Sequence, residues 1–378
     1  MRQGIVRSLI PAAALACSPL AYGQADVASR QWLPECVGRL ELQLPGPADQ
    51  AAWDPVEVAK RIRGDLRRDP PARYPDGERA FHVNLGDRGP LLITHPMSDS
   101  QRGVIRAAVD SRMTKDGAMF KARDGNDVYG MRATFDNLDW AGPGGKAWRV
   151  GSQLSAFTTV SDSGLWWKLS THDSDANADE EEFASLVAGA MPRVPNSVPP
   201  KRGLCMPYVF LPDDGVAPRY VAASYRLKGQ PDVIIGLEDK SAAPPNAKLN
   251  ARMQDPEGVS DFFWTHLYQD RREVTSIWKD RYRSTTIAGV KAVESFVSLR
   301  REDGTVDHGY LVVALGSARA QGSSSVMLHV IQRSDFARKA GITPLDEASF
   351  LALARGIAAP RVARDARQQH SMSSNDHG

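Results

Sequence analysis

The chain has 378 residues, 42% of them apolar and 24% charged, with a formal net charge of +2. That length suits two to three domains of about 150 residues, and either half is long enough to bury its own core. The composition excludes wholesale disorder, and no stretch reaches the roughly 18 to 20 apolar residues of a membrane-spanning helix.

The first residues have the character of an export signal. Arg2 and Arg7 precede an apolar run from Leu9 to Ala16, and Ala21-Tyr22-Gly23 offers small residues at cleavage spacing. This predicts a signal peptide over 1–23 and a lead-in over 24–35. Ala14-Leu15-Ala16-Cys17 approximates a lipoprotein processing box, so lipidation at Cys17 is the alternative, and a membrane would be a partner only in that case. With Arg2 and Arg7 removed, 47 basic residues become 45, against 45 acidic ones. A formally neutral chain is not a broad electrostatic binder of nucleic acid or anionic membrane. Export would leave Cys36 and Cys205 as the two thiols of a chain in an oxidising compartment, which makes a disulfide between them the expectation. Closing so long a loop is worth about 5 kcal/mol in chain entropy; the alternative is two separately buried thiols.

In chain order, Cys36 to Pro45 alternates Leu40, Leu42 and Leu44 with polar residues, the pattern of a half-buried strand. Asp54-Pro55-Val56-Glu57 resembles a helix start, with Asp54 as cap and Pro55 in the first turn. Val56, Val58, Ile62 and Leu66 share parity, so a strand also fits there. A proline-rich loop over 67–77 precedes strands at 79–85 and 91–95, a helix at 101–113, and extended segments at 127–135, 148–160 and 165–169. An acidic loop leads into a helix at 179–190. Four prolines between Met191 and Gly203 mark a linker. Beyond it come a strand opened by Cys205, strands at 220–227 and 232–237, a helix around 259–270, strands at 292–300, 310–315 and 326–332, a helix at 346–358, and a polar tail over 361–378.

The halves begin and end alike. Cys205 follows Cys36 by 169 residues, and Phe183, Leu186 and Gly189 before Pro192-Arg193-Val194 mirror Phe350, Leu353 and Gly356 before Pro360-Arg361-Val362. This predicts an α+β protein of two related domains, 36–194 and 204–360, separated by the linker at 195–203. Each would be a mainly antiparallel sheet with few helices.

Catalytic and metal motifs are sparse. Gly322-Ser323-Ser324-Ser325 lacks the Gly-x-Ser-x-Gly elbow and suits a hairpin loop. The eight histidines show no metal-ligand spacing. Asp173, Asp175, Asn177 and Asp179 sit at calcium-loop spacing, yet Ala178 and Ala184 replace the turn glycine and the bidentate glutamate. No glycine-rich phosphate loop follows a strand, and no cofactor is expected. Adjacent Trp166 and Trp167 on one strand must face opposite ways, so one is core and the other meets a second layer, solvent or a partner. The acidic run of Asp173, Asp175, Asp179, Glu180, Glu181 and Glu182 is either a solvated helix start or a recognition loop for a basic partner surface.

At Cys36-Val37-Gly38-Arg39, followed by an alternating strand and Pro45, the chain resembles the immunity proteins that protect bacteria from type VI secretion lipase effectors of the fourth lipase class. Arg202-Gly203-Leu204-Cys205 looks like the start of that family's C-terminal domain, and Asp232-Val233-Ile234-Ile235 fits as well. The similarity spans about 34–358. One departure is Ala292 in Gly289-Val290-Lys291-Ala292-Val293-Glu294, where the family often has a second glycine, which puts the local turn in question. The resemblance implies a periplasmic, non-enzymatic binder that occludes a lipase or phospholipase effector, with no catalytic residues to carry over. Trp166, Trp167 and the acidic run are then the candidate partner contacts. The alternatives are a periplasmic hydrolase with a serine nucleophile and an envelope lipoprotein with a structural role.

Overall fold

The structure is a computed structural model that describes residues 31–81, 83–85, 91–122, 135–142, 144–170, 176–242, 254–267, 273–277 and 282–359. The export signal, Asp173, Asp175, most of the expected strand at 127–135 and the polar tail lie outside the described residues. The architecture is α+β, with helices set against antiparallel sheets.

The alternating stretch at the start is a hairpin, not one strand. β1 (Leu33–Val37) and β2 (Leu40–Leu44) pair with Val37 opposite Leu40. Gly38, with φ 56°, makes the turn that a side chain would strain. β1 therefore begins inside what the sequence suggests is a lead-in. After β3 (Ala48–Gln50), the ambiguous stretch is helical as α1 (Pro55–Arg63). Asp54 accepts from the Val56 and Glu57 amides at 2.9 and 3.0 Å, and Gly64 ends the helix in the left-handed region. Val58 and Ile62 are buried while Val56 is exposed, so helical periodicity wins over parity.

β4 (Asn84–Leu85) and β5 (Leu91–Ile93) precede α2 (Asp99–Ala122), which is much longer than expected. The extended segment at 148–160 divides at a tight turn. β6 (Phe135–Leu138), β7 (Lys146–Val150), β8 (Gln153–Val160) and β9 (Ser163–Ser170) join β5 in a five-stranded sheet of order β5-β9-β8-β7-β6. α3 (Ala176–Gly189) packs on one face, where Phe183 meets Trp167 at 4.9 Å between ring centroids. α2 packs on the other, where the Trp148 indole donates to Asp116 at 3.0 Å and lies 5.6 Å from Trp166.

β10 (Met191–Pro192), β11 (Gly203–Met206) and β12 (Val209–Pro212) form a small sheet around the proline-rich passage. The larger sheet is built from β13 (Tyr220–Leu227), β14 (Val233–Ser241), β15 (Glu273–Ile277), β16 (Arg283–Ile287), β17 (Val290–Arg300), β18 (Val306–Ala314) and β19 (Ser324–Gln332). Its order is β15-β17-β18-β19-β14-β13-β3, with β16 also on β17 and β4 also on β13. Two short strands of the first half thus complete the edge of the second half's sheet. α4 (Pro256–Phe262), α5 (Ser334–Ala340) and α6 (Glu347–Ala358) are the remaining described helices; β15, β16 and α5 lie outside the elements expected from the sequence. Ala292 lies within β17 opposite Thr285, and the hairpin turns earlier, at Ala288-Gly289, where both residues have positive φ. The missing second glycine therefore leaves that turn untouched.

Both faces of this sheet are covered. Phe296, Tyr310 and Val330 share a core with Phe350, Leu353 and Ile357 of α6. On the opposite face Val297, Leu311 and Ile331 pack with Phe263 and Trp264, which directly follow α4. That second face has a notch: Gly236 lies opposite His329, whose ring sits 5.2 Å from both Phe81 and Phe263. A Cβ on Gly236 would lie 2.0 Å from His329 Cε1. Gly236→Ala is expected to destabilise the fold by about 1–3 kcal/mol through overpacking. His329→Ala in the same chain should restore part of that loss, a coupling that a urea-denaturation double-mutant cycle measures.

Candidate functional site

Four residues of the family resemblance, Cys36, Gly38, Arg39 and Cys205, converge on one place, the junction between the first hairpin and the second half. Cys36 on β1 and Cys205 on β11 are joined by a disulfide with Cα atoms 5.6 Å apart. Beside it, Gly38 and Cys205 exchange backbone hydrogen bonds of 2.8 Å in both directions. Register and covalent bond hold the same two segments together.

Charge is buried on either side of that link. Glu35 and Arg193 form an ion pair whose side chains are 1% and 0% exposed. Glu35 also accepts from the Cys36 amide at 2.8 Å and the Asn196 amide at 2.9 Å. Arg193 donates to the Met206 carbonyl at 2.9 Å and to Gln50 Oε1 at 3.0 Å, and Gln50 donates in turn to Tyr225. Burial pushes the Tyr225 hydroxyl well up and the Tyr208 hydroxyl to about 12, so both remain protonated. On the other side, Asp239 Oδ2 accepts from the Arg39 amide at 2.7 Å and from Arg219 Nε at 2.8 Å. The Arg39 side chain reaches Asp213 Oδ1 at 2.8 Å and the Ala217 carbonyl at 3.1 Å. A Cβ on Gly38 would lie 2.3 Å from Asp239 Oδ2, so this carboxylate can approach only a glycine.

Cys36, Gly38 and Arg39 are thus a fastening, not an exposed contact surface. Sequence reasoning found the cysteines and the glycine but not the charged partners. Arg193 stands in the Pro-Arg-Val triplet that recurs at the two ends, the one available signal for it; Glu35, Asp213, Arg219 and Asp239 carry none, because nothing local tells a buried charge from a solvated one.

The proposed partner contacts distribute differently. Trp166 and Trp167 do face opposite ways, yet each meets a helix layer and they are only 6% and 5% exposed. This corrects their reading as exposed anchors: α2 and α3 cover both faces of the sheet. Asp173 and Asp175 lie outside the described residues, as do the side chains of Asp179 and Glu182 in α3. Glu180 is half-buried against Arg149 at 3.1 Å, and Glu181 is exposed. Of the acidic run only Glu180 and Glu181 have described side chains, while both tryptophans are buried.

Among the described residues no histidine or carboxylate contacts the serine cluster. Ser323 Oγ accepts from the Ser317 amide at 3.0 Å, Ser325 Oγ accepts from the Gly316 amide at 3.2 Å, and Arg219 donates to Ser324. Ser324 and Ser325 belong to β19 itself, so only Gly322 and Ser323 lie in the loop. Of the described histidines, His95 bridges the Arg73 carbonyl and Tyr208, His266 contacts Thr265, and His308 packs between Phe296 and Phe350. Among the described residues no cluster of three His, Cys, Asp or Glu side chains could hold a metal ion. Two surface concavities stand out: one of about 630 Å³ beside α4, bordered by Asp255, Glu257, Asp261 and Tyr282, and one of about 300 Å³ bordered by Trp53, Leu91, Asp69 and Arg79.

The junction is expected to dominate stability. Replacing both cysteines by serine should cost about 2–5 kcal/mol, and Arg193→Met, which strands Glu35 in the interior, about 3–5 kcal/mol. Because both changes act on one junction, the triple variant should lose less than the sum, as read by guanidinium denaturation under oxidising conditions.

No protein-family model matches this chain, and no curated protein matches it. Solved structures do. The apo form of the immunity protein TplEi of the type VI secretion system of Pseudomonas aeruginosa aligns with 14% identity and a TM-score of 0.53, over 88% of this chain and 97% of that one. A chain of the Tle4–Tli4 complex aligns with 15% identity and a TM-score of 0.51, over 88% and 97% respectively. At such identities the likeness is one of fold: nearly the whole of the described chain adopts the architecture of a type VI secretion immunity protein.

Proposed function

We propose that this protein is a non-enzymatic immunity protein of the periplasm that binds a cognate type VI secretion lipase or phospholipase effector. It blocks the effector by covering its active-site entrance or restraining its lid. The observation that carries this reading is the extent of the structural likeness, which spans both sheets and the junction between them instead of one common module. Two further features support it. Cys36, Gly38, Arg39 and Cys205 of the sequence resemblance gather at a single buried junction, as a shared frame requires. The serines that would serve a hydrolase are held by backbone amides and an arginine.

Inhibition by occlusion needs a large rigid surface, since a standard interface buries about 1,600 Å² in total. In this reading the first unit, 36–194, and the second, 204–360, both contribute contacts, and the buried junction keeps them in one relation. Glu181 and its acidic neighbours at the start of α3 supply charged contacts to a basic effector surface, which would govern association rate more than affinity.

The test is a pull-down of the oxidised protein with a catalytically disabled lipase-like protein encoded next to it, followed by titration of the active lipase. The expected outcome is a stoichiometric complex and loss of lipase activity at one equivalent. Absence of a complex under oxidising conditions would overturn the proposal for that pair.

A further inference from the structure

The end of the larger sheet where β14, β18 and β19 meet holds a second concentration of buried polar groups. Asp232, immediately before β14, and Asp307 on β18 are both fully buried, and Gln332 at the end of β19 is 1% exposed. Gln332 Nε2 donates to Asp232 Oδ2 at 3.0 Å. The two remaining oxygens of that pair, Asp232 Oδ1 and Gln332 Oε1, are buried acceptors with no donor. Orphaned buried acceptors are rare, and two on one pair ask for a single cause.

The two carboxylates have unlike surroundings. Asp307 Oδ1 accepts from the Ser334 amide at 2.7 Å and the Ser334 hydroxyl at 2.6 Å, and its other oxygen faces Arg301 at 3.4 Å. Among the described residues Asp232 meets no such cation. Arg301 is shared between Asp307 and Asp335, and the Arg333 guanidinium is held by Asp335 at 2.6 Å. Arg333 meets Asp232 only through its amide, which donates to the Asp232 carbonyl at 2.8 Å. The other groups facing Asp232 are the Gln230 side-chain amide from the preceding turn, whose hydrogen bond favours the carboxylate, and the like-charged Asp307, which opposes it. His308, across the ladder from Gln332, is held toward its neutral form by burial. An ionised Asp232 would be a buried charge without compensation beside another anion.

We propose that Asp232 is held as a neutral acid whose Oδ1 hydroxyl donates to Gln332 Oε1, closing a two-point acid–amide pair that ties β14 to β19 and loosens when the carboxyl ionises. One proton accounts for both orphaned oxygens: Asp232 Oδ1 carries it and Gln332 Oε1 accepts from it. Burial pushes the Asp232 carboxyl above its ordinary range, in the same direction. The folded state therefore binds this proton more tightly than the unfolded one. The stabilisation is complete below the ordinary aspartate range and is lost as pH rises through the raised folded value. The Asp232-Val233-Ile234-Ile235 stretch thus begins with an acid-strengthened lock, independent of which effector the protein binds.

Asp232→Asn tests this, because the asparagine amide can donate permanently where the carboxyl needs a proton. From about pH 4 to about pH 8 the melting temperature of the native protein should fall relative to D232N by about 2 °C or more. In the native chain itself, NMR titration of carboxyl-labelled aspartate should show a resonance whose midpoint lies above the ordinary aspartate range, absent from D232N. A D232N protein less stable than the native one by the same margin at both pH values would mean that the carboxylate acts as a charge. That result, or the absence of any such raised aspartate resonance in the native chain, would overturn the proposal.

Discussion

The buried link between the first hairpin and the second half is the constraint on which the rest of the structure depends. A disulfide, a reciprocal pair of backbone hydrogen bonds and the Glu35–Arg193 ion pair all join segments far apart in sequence. A buried ion pair is weak support for stability in itself, since desolvation offsets most of its Coulomb gain. It is strongly selective for geometry: any displacement of β1 from β11 would leave Glu35 or Arg193 charged and unpaired in an apolar interior. The disulfide limits how far the chain can stray and the charges select one arrangement within that limit.

From this junction the two sheets are set in place by different means. The five-stranded sheet is sandwiched between α2 and α3, with tryptophans on both faces and the Trp148 indole tied to Asp116. The larger sheet borrows β3 and β4 from the first half, so its edge strand β13 is completed only when the two halves are together. At the far end, Glu294 on β17 accepts from Tyr310 at 2.6 Å and from Arg355 of α6 at 2.8 Å, fixing the last helix to the sheet. Each half therefore depends on the other for part of its hydrogen bonding.

A frame of this kind suits a protein that acts through its surface. An inhibitor that occludes a partner gains affinity from being preorganised, because ordering costs paid during folding are not charged again on binding. The two rings that sequence alone would offer as interface anchors, Trp166 and Trp167, are spent on internal packing. Exposed charge remains elsewhere on the frame, Glu181 on α3 and Asp255 and Glu257 at α4 being examples.

The sequence by itself determined the class of the fold, the pairing partners in the disulfide and most element positions. β13 runs over 220–227 as expected, and α6, capped by Asp346, falls within the helix expected at 346–358. These are local signals: periodicity, capping and turn residues act over a few positions and survive without knowledge of the rest of the chain. Only the tertiary structure decided the rest. It made a hairpin of a stretch that alternation alone rendered as one strand, because Gly38 must turn to admit Asp239 from 200 residues away. It resolved α1 as a helix, buried both tryptophans and drew Glu35, Arg39 and Asp232 inside. Burial of a charge depends on a partner supplied from a distant part of the chain, and that information is absent from any local window.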